Sequence, residues 1–81
     1  MFKLKKVKSR TVTLYGTEFN VPAEVTAVNY AATDKCGDVW LYEEIPRVLI
    51  GAGIWAFGIG EGFELATIRY KGDWKDSLVK L

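Results

Sequence analysis

A chain of 81 residues has room for one small core, and with a single cysteine, Cys36, and no histidine it can be braced neither by an internal disulfide nor by a closed zinc site. A hydrophobic share of 49% and an aromatic share of 14% exclude intrinsic disorder and supply the packing for one domain over residues 1–81. The net charge of +1 is uneven: residues 1–10 carry Lys3, Lys5, Lys6, Lys8 and Arg10 with no acid, while the remainder carries six basic and ten acidic residues.

That basic arm suits the phosphates of a nucleic acid or an acidic partner, and equally suits an edge strand blunted by lysines against aggregation. Within it, Phe2 and Leu4 alternate with Lys3 and Lys5, which predicts a half-buried strand over Phe2–Val7. No apolar stretch of about 7–15 residues follows, so no export signal is expected. Thr11-Val12-Thr13-Leu14-Tyr15 is β-branched and aromatic with period two, Gly16-Thr17 offers a turn, and Phe19 and Val21 resume the alternation, predicting a hairpin. Pro22 lacks an amide donor, so the second strand stops there or lies on a sheet edge.

A second hairpin is predicted from Val25–Thr33, the turn Asp34-Lys35-Cys36-Gly37, and Asp38–Ile45 ending at Pro46. The turn has an acceptor first and a glycine last, the chemistry of a type I turn followed by a left-handed residue. Val39, Trp40, Leu41 and Tyr42 are large in succession, so both faces of their strand are apolar; it lies centrally or keeps one face for a partner.

Val48–Gly60 is the longest uncharged stretch, thirteen residues against the roughly 20 of a spanning helix, and glycines interrupt it. Neither membrane insertion nor a location other than the cytoplasm is expected. A short strand near Ile54–Phe57 is predicted there, flanked by loops. A loop that merely connects is polar, so Ile54, Trp55 and Phe57 are either packed across the core or presented to a partner, with Trp40 and Tyr42 as further candidates for such a surface. Phe63–Tyr70 reads as a strand among β-rich surroundings. After Gly72, Asp73 is a good cap, and Trp74, Leu78 and Leu81 recur at helical spacing, predicting a short terminal helical turn. The whole predicts a mainly β fold, a small antiparallel sheet or barrel of about five or six strands.

Chemistry is sparse. Without histidine, Ser9, Ser77 and Cys36 have no evident proton shuttle, and Glu43/Glu44 and Glu61/Glu64 are not spaced for acid–base work. No catalytic residue is assigned, and a non-enzymatic protein is expected. Asp34, Asp38 and Glu43 lack the register of a calcium loop, so no metal ligand is assigned. Gly51-Ala52-Gly53-Ile54-Trp55-Ala56 spells a dinucleotide turn without the βαβ unit that gives it meaning, and no cofactor is expected. Tyr15, Tyr30, Trp40 and Tyr42 beside a basic rim would suit a small nucleic-acid-binding β domain, although most are expected in the core.

The string from Ala32 to Tyr42, then Pro46, Trp55 and the ending Gly72-Asp73-Trp74-Lys75-Asp76-Ser77-Leu78, resembles small accessory proteins of tailed bacteriophages. In these a D-x-x-G turn precedes a strand with a following proline, and a W-x-x-S-L ending closes the chain. The resemblance implies a binding protein that occludes a host bacterial protein, such as transcription or antiviral-defence machinery, in the host cytoplasm. It carries no functional residue with it. A minor virion or assembly component and a homodimer are further readings.

Overall fold

The computed structural model describes residues 10–25, 27–58 and 60–81, and the first hairpin opens it. The strand expected over Phe2–Val7 and the arm residues Lys3, Lys5, Lys6 and Lys8 lie outside the described residues. Strand β1 (Arg10–Leu14) pairs antiparallel with β2 (Thr17–Val21), in a register that sets Leu14 opposite Thr17. The turn is therefore Tyr15-Gly16, one residue earlier than the sequence predicts. Both residues are left-handed, with φ of 54° and 78°, the two-residue geometry whose twist matches that of a hairpin. A tyrosine there costs about 1–2 kcal/mol. Its hydroxyl offsets the strain by donating to Ser77 O at 2.7 Å and accepting from Thr33 Oγ1 at 3.0 Å. As expected, Val21 ends β2 and Pro22 starts a turn closed by Val25 N–H donating to its carbonyl.

The central sheet has the order β7-β4-β3-β8 and is antiparallel throughout: β3 (Tyr30–Thr33), β4 (Asp38–Tyr42), β7 (Gly62–Thr67) and β8 (Val79–Lys80). Between β3 and β4 the Asp34–Gly37 turn forms as predicted, with Gly37 N–H donating to Asp34 O and Gly37 at φ 100°. Both strands are shorter than expected. β3 begins only at Tyr30, after the turn at Pro22, and β4 ends at Tyr42, although Glu43 N–H still donates to Glu61 O beyond it.

The succession of large residues in β4 is resolved by two covers. Val39 and Leu41 face one way and pack with Ala31, Leu14 and Val21, so the β1–β2 hairpin lies on that face. Trp40 and Tyr42 face the other way, where Tyr42 packs with Ala32 and Trp55 from the hairpin of β5 (Arg47–Leu49) and β6 (Ile54–Ala56). The fold is thus three thin layers, hairpin on sheet on hairpin, with a small core on each side of the sheet.

A bulge in β7 keeps the first core continuous. Val39 pairs with Ala66 but Trp40 with Glu64, leaving Leu65 as the extra residue. Phe63 and Leu65 before the shift, and Ile68 after it, consequently reach the same cluster. At the C-terminus the predicted helical turn is a 3₁₀ turn, Trp74–Asp76, capped by the Asp73 carboxylate on Lys75 N–H. The chain then straightens into β8, which the helical spacing of Trp74, Leu78 and Leu81 did not announce. The described residues hold eight strands rather than five or six, the additions being pieces of two and three residues.

Candidate functional site

Trp55 is the residue on which the β5–β6 hairpin hangs. Its main-chain N–H donates to Asp34 Oδ1 at 2.8 Å, its carbonyl accepts from the Tyr42 hydroxyl at 3.2 Å, and its indole Nε1–H donates to Trp74 O at 3.1 Å. The Trp55 and Trp74 rings meet edge to face with centroids 6.5 Å apart. Every polar group of Trp55 is thereby satisfied in the interior, and one face of the hairpin is fixed towards the sheet.

Alternation then dictates what the other face shows. Val48 and Trp55, which oppose each other, point inward; the flanking pairs Leu49–Ile54 and Arg47–Ala56 point out. Leu49 is 47% exposed, Ile54 37%, and Ile50 in the following 3₁₀ turn, Ile50–Ala52, 71%. Ile45 and Phe57 stand at the open end of the hairpin, 59% and 43% exposed. Together with Leu49, Arg47 and Glu44 they line a groove of about 600 Å³. A hairpin with one face on a core normally presents polar residues on the other. This one presents five large apolar side chains, a cluster of the kind that marks interaction sites.

The sequence-derived candidates therefore divide. Ile54 and Phe57 are on the open surface. Trp55 and Tyr42, at 7% and 1% exposure, belong to the second core cluster and leave little surface for a partner, which corrects their candidacy as partner contacts. Trp40 is half-buried, with its ring 6.4 Å from that of Phe57, and borders the surface. Sequence reasoning missed Ile45, Leu49 and Ile50. The signal was present in Arg47-Val48-Leu49-Ile50, where no polar residue marks an outward position after Arg47.

Other chemistry-bearing groups are engaged internally. Ser77 is buried; its hydroxyl reaches Trp74 O at 2.6 Å and Thr33 O at 3.0 Å and accepts Thr33 N–H at 2.8 Å. Asp34, Cys36 and Asp38 approach within 4.8 Å of one another. Their bonds serve the turn: Asp34 holds Trp55 N–H, while Asp38 accepts from the Cys36 thiol and the Thr67 hydroxyl. Burial raises the Asp34 carboxyl above the ordinary aspartate range; the charges of Asp38 and Glu64 add to this and the Trp55 N–H opposes it. Burial likewise raises the phenols of Tyr15 and Tyr42.

Of the basic arm, Arg10 is described, exposed at the start of β1. The described residues hold seven basic and ten acidic side chains, a net −3. Among them no helix is long and apolar enough to cross a membrane. The chain matches no family model, no curated protein and no solved structure.

Proposed function

We propose that this protein is a non-enzymatic binding module that docks another protein on the outer face of its β5–β6 hairpin. In line with the resemblance to accessory proteins of tailed phages, the target is a host bacterial protein, inhibited by occlusion in the host cytoplasm. The observation that carries the reading is the apolar outer face itself. Leu49 and Ile54 contribute nothing to either core cluster, yet they stand on a hairpin pinned from behind by Trp55. Pinning holds the face rigid before a partner arrives, so little ordering entropy is lost on binding.

Affinity capture from a bacterial lysate tests this with three baits: the wild type, Leu49→Gln/Ile54→Gln, and Lys75→Gln as a control on the exposed C-terminal turn. A host protein held by the wild type and the control but released by the double variant, then bound directly after purification, is the expected result. A capture profile identical for all three baits removes the hairpin from the function.

A further inference from the structure

Resting on that docking reading, we propose that the docked segment presents a lysine or arginine beside its apolar anchor, received by an acidic groove that adjoins the hairpin face. Phe57 connects the two regions. It lines the apolar groove on one side and on the other lies over Gly62, where a Cβ would come within 2.8 Å of the Phe57 ring. Gly62 belongs to a second groove, of about 170 Å³, whose acids are Glu24, Glu43 and Glu61 and whose apolar wall includes Val25, Val28 and Phe63. Among the described residues no basic side chain lines it, and the one ion pair among them, Lys75–Asp73, is at the C-terminal turn. Glu44, next to Glu43, borders the apolar groove.

The two grooves thus meet where Phe57 lies against Gly62, at the edge of the sheet, with exposed apolar side chains in one and three carboxylates beside an apolar wall in the other. An aliphatic stem tipped by a cation fits both properties of the second groove: methylenes against Val25, Val28 and Phe63, and the charge among the carboxylates. A neutral or acidic segment leaves those carboxylates without compensation as water is displaced, so the groove also discriminates among apolar partners.

Amide spectra of the full chain, titrated with a capped leucine–lysine–leucine tripeptide and with its twin carrying norleucine for lysine, test the proposal. The lysine peptide is expected to shift amides at Leu49, Ile54 and Ala56 and also at Val28, Glu43 and Gly62; the norleucine twin shifts only the first set. Glu43→Gln/Glu61→Gln should weaken the lysine peptide about fivefold and leave the twin unchanged. Equal affinities of wild type and double variant for the lysine peptide overturn the basic-residue proposal while the hairpin shifts keep the docking reading intact. No shift at the hairpin with either peptide overturns the docking reading as well. Residues 1–10 of the chain carry apolar and basic residues of the same kind, so sedimentation is run in parallel: self-association abolished by Glu43→Gln/Glu61→Gln would make the occupant a second copy and overturn the separate partner.

Discussion

Replacing Gly37 by valine attacks the β3–β4 turn at a position where three separate costs meet. At φ 100° the backbone is in a region that side chains with a Cβ avoid and β-branched ones avoid most, a penalty of about 1–2 kcal/mol. The added Cβ would collide with the main-chain carbonyl of Ile68, a contact relieved only by moving backbone, and overpacking of this kind costs about 1–3 kcal/mol. Moving Ile68 stretches the 2.8 Å bond in which its N–H donates to Gly37 O, worth about 1 kcal/mol. The sum, about 3–6 kcal/mol, is a large part of the roughly 4–12 kcal/mol expected for a chain of this size. Urea denaturation followed by tryptophan fluorescence measures it, with Lys35→Ala as an exposed control in the same turn, expected within about 0.5 kcal/mol of wild type. Equal midpoints for Gly37→Val and Lys35→Ala would refute the turn geometry and its contact with Ile68.

Trp55→Ala should lose about 3–5 kcal/mol, because it empties the second core cluster and removes the indole bond to Trp74; a melting temperature within a few degrees of wild type would place Trp55 outside the core. Asp34→Asn keeps an acceptor for the buried Trp55 N–H and should be at least as stable as wild type at pH 7, whereas Asp34→Ala should lose about 1–3 kcal/mol in the same melts. Because the folded carboxyl of Asp34 titrates above its unfolded value, the native state holds more protons in the window above about pH 4; wild-type stability should fall as pH rises through that window, and the slope should be absent in Asp34→Asn. The raised phenols of Tyr15 and Tyr42 give stability that is full below the unfolded tyrosine value and declines progressively as pH rises above about 10, because the unfolded phenols ionise there while the folded ones stay protonated to donate to Ser77 O and Trp55 O; a urea midpoint unchanged between about pH 9 and about pH 11.5 would contradict the two bonds.

The features legible in the sequence are those fixed by local chemistry. Four large residues in a row marked a strand apolar on both faces, either central or keeping one face for a partner, and β4 is central with a core cluster on each side. Asp34 and Gly37 specified their turn through an acceptor and a left-handed position, and Pro22 ended β2 through its missing donor. What was not legible depends on contacts distant in sequence. Tyr15 takes a left-handed conformation against its own preference because Ser77 and Thr33, 62 and 18 residues away, hold its hydroxyl. Leu65 bulges because the first core cluster must be filled from both sides of a register shift, and β8 forms because an exposed edge of β3 is available to it. The candidate site was half legible for the same reason. Composition marked Ile54–Phe57 as unusual, but which of those residues faces inward depends on a one-residue register, and that is set by Asp34 and Trp74 clasping Trp55.

The central claim, that the outer face of the β5–β6 hairpin serves binding and not folding, is tested most directly on Leu49→Gln/Ile54→Gln by measuring melting temperature and affinity for the captured protein on the same preparation. The account predicts a melting temperature within a few degrees of wild type and an affinity lower by at least about 30-fold, the equivalent of about 2 kcal/mol for losing an interface anchor. A variant that unfolds, or one that stays folded and binds with wild-type affinity, would contradict it.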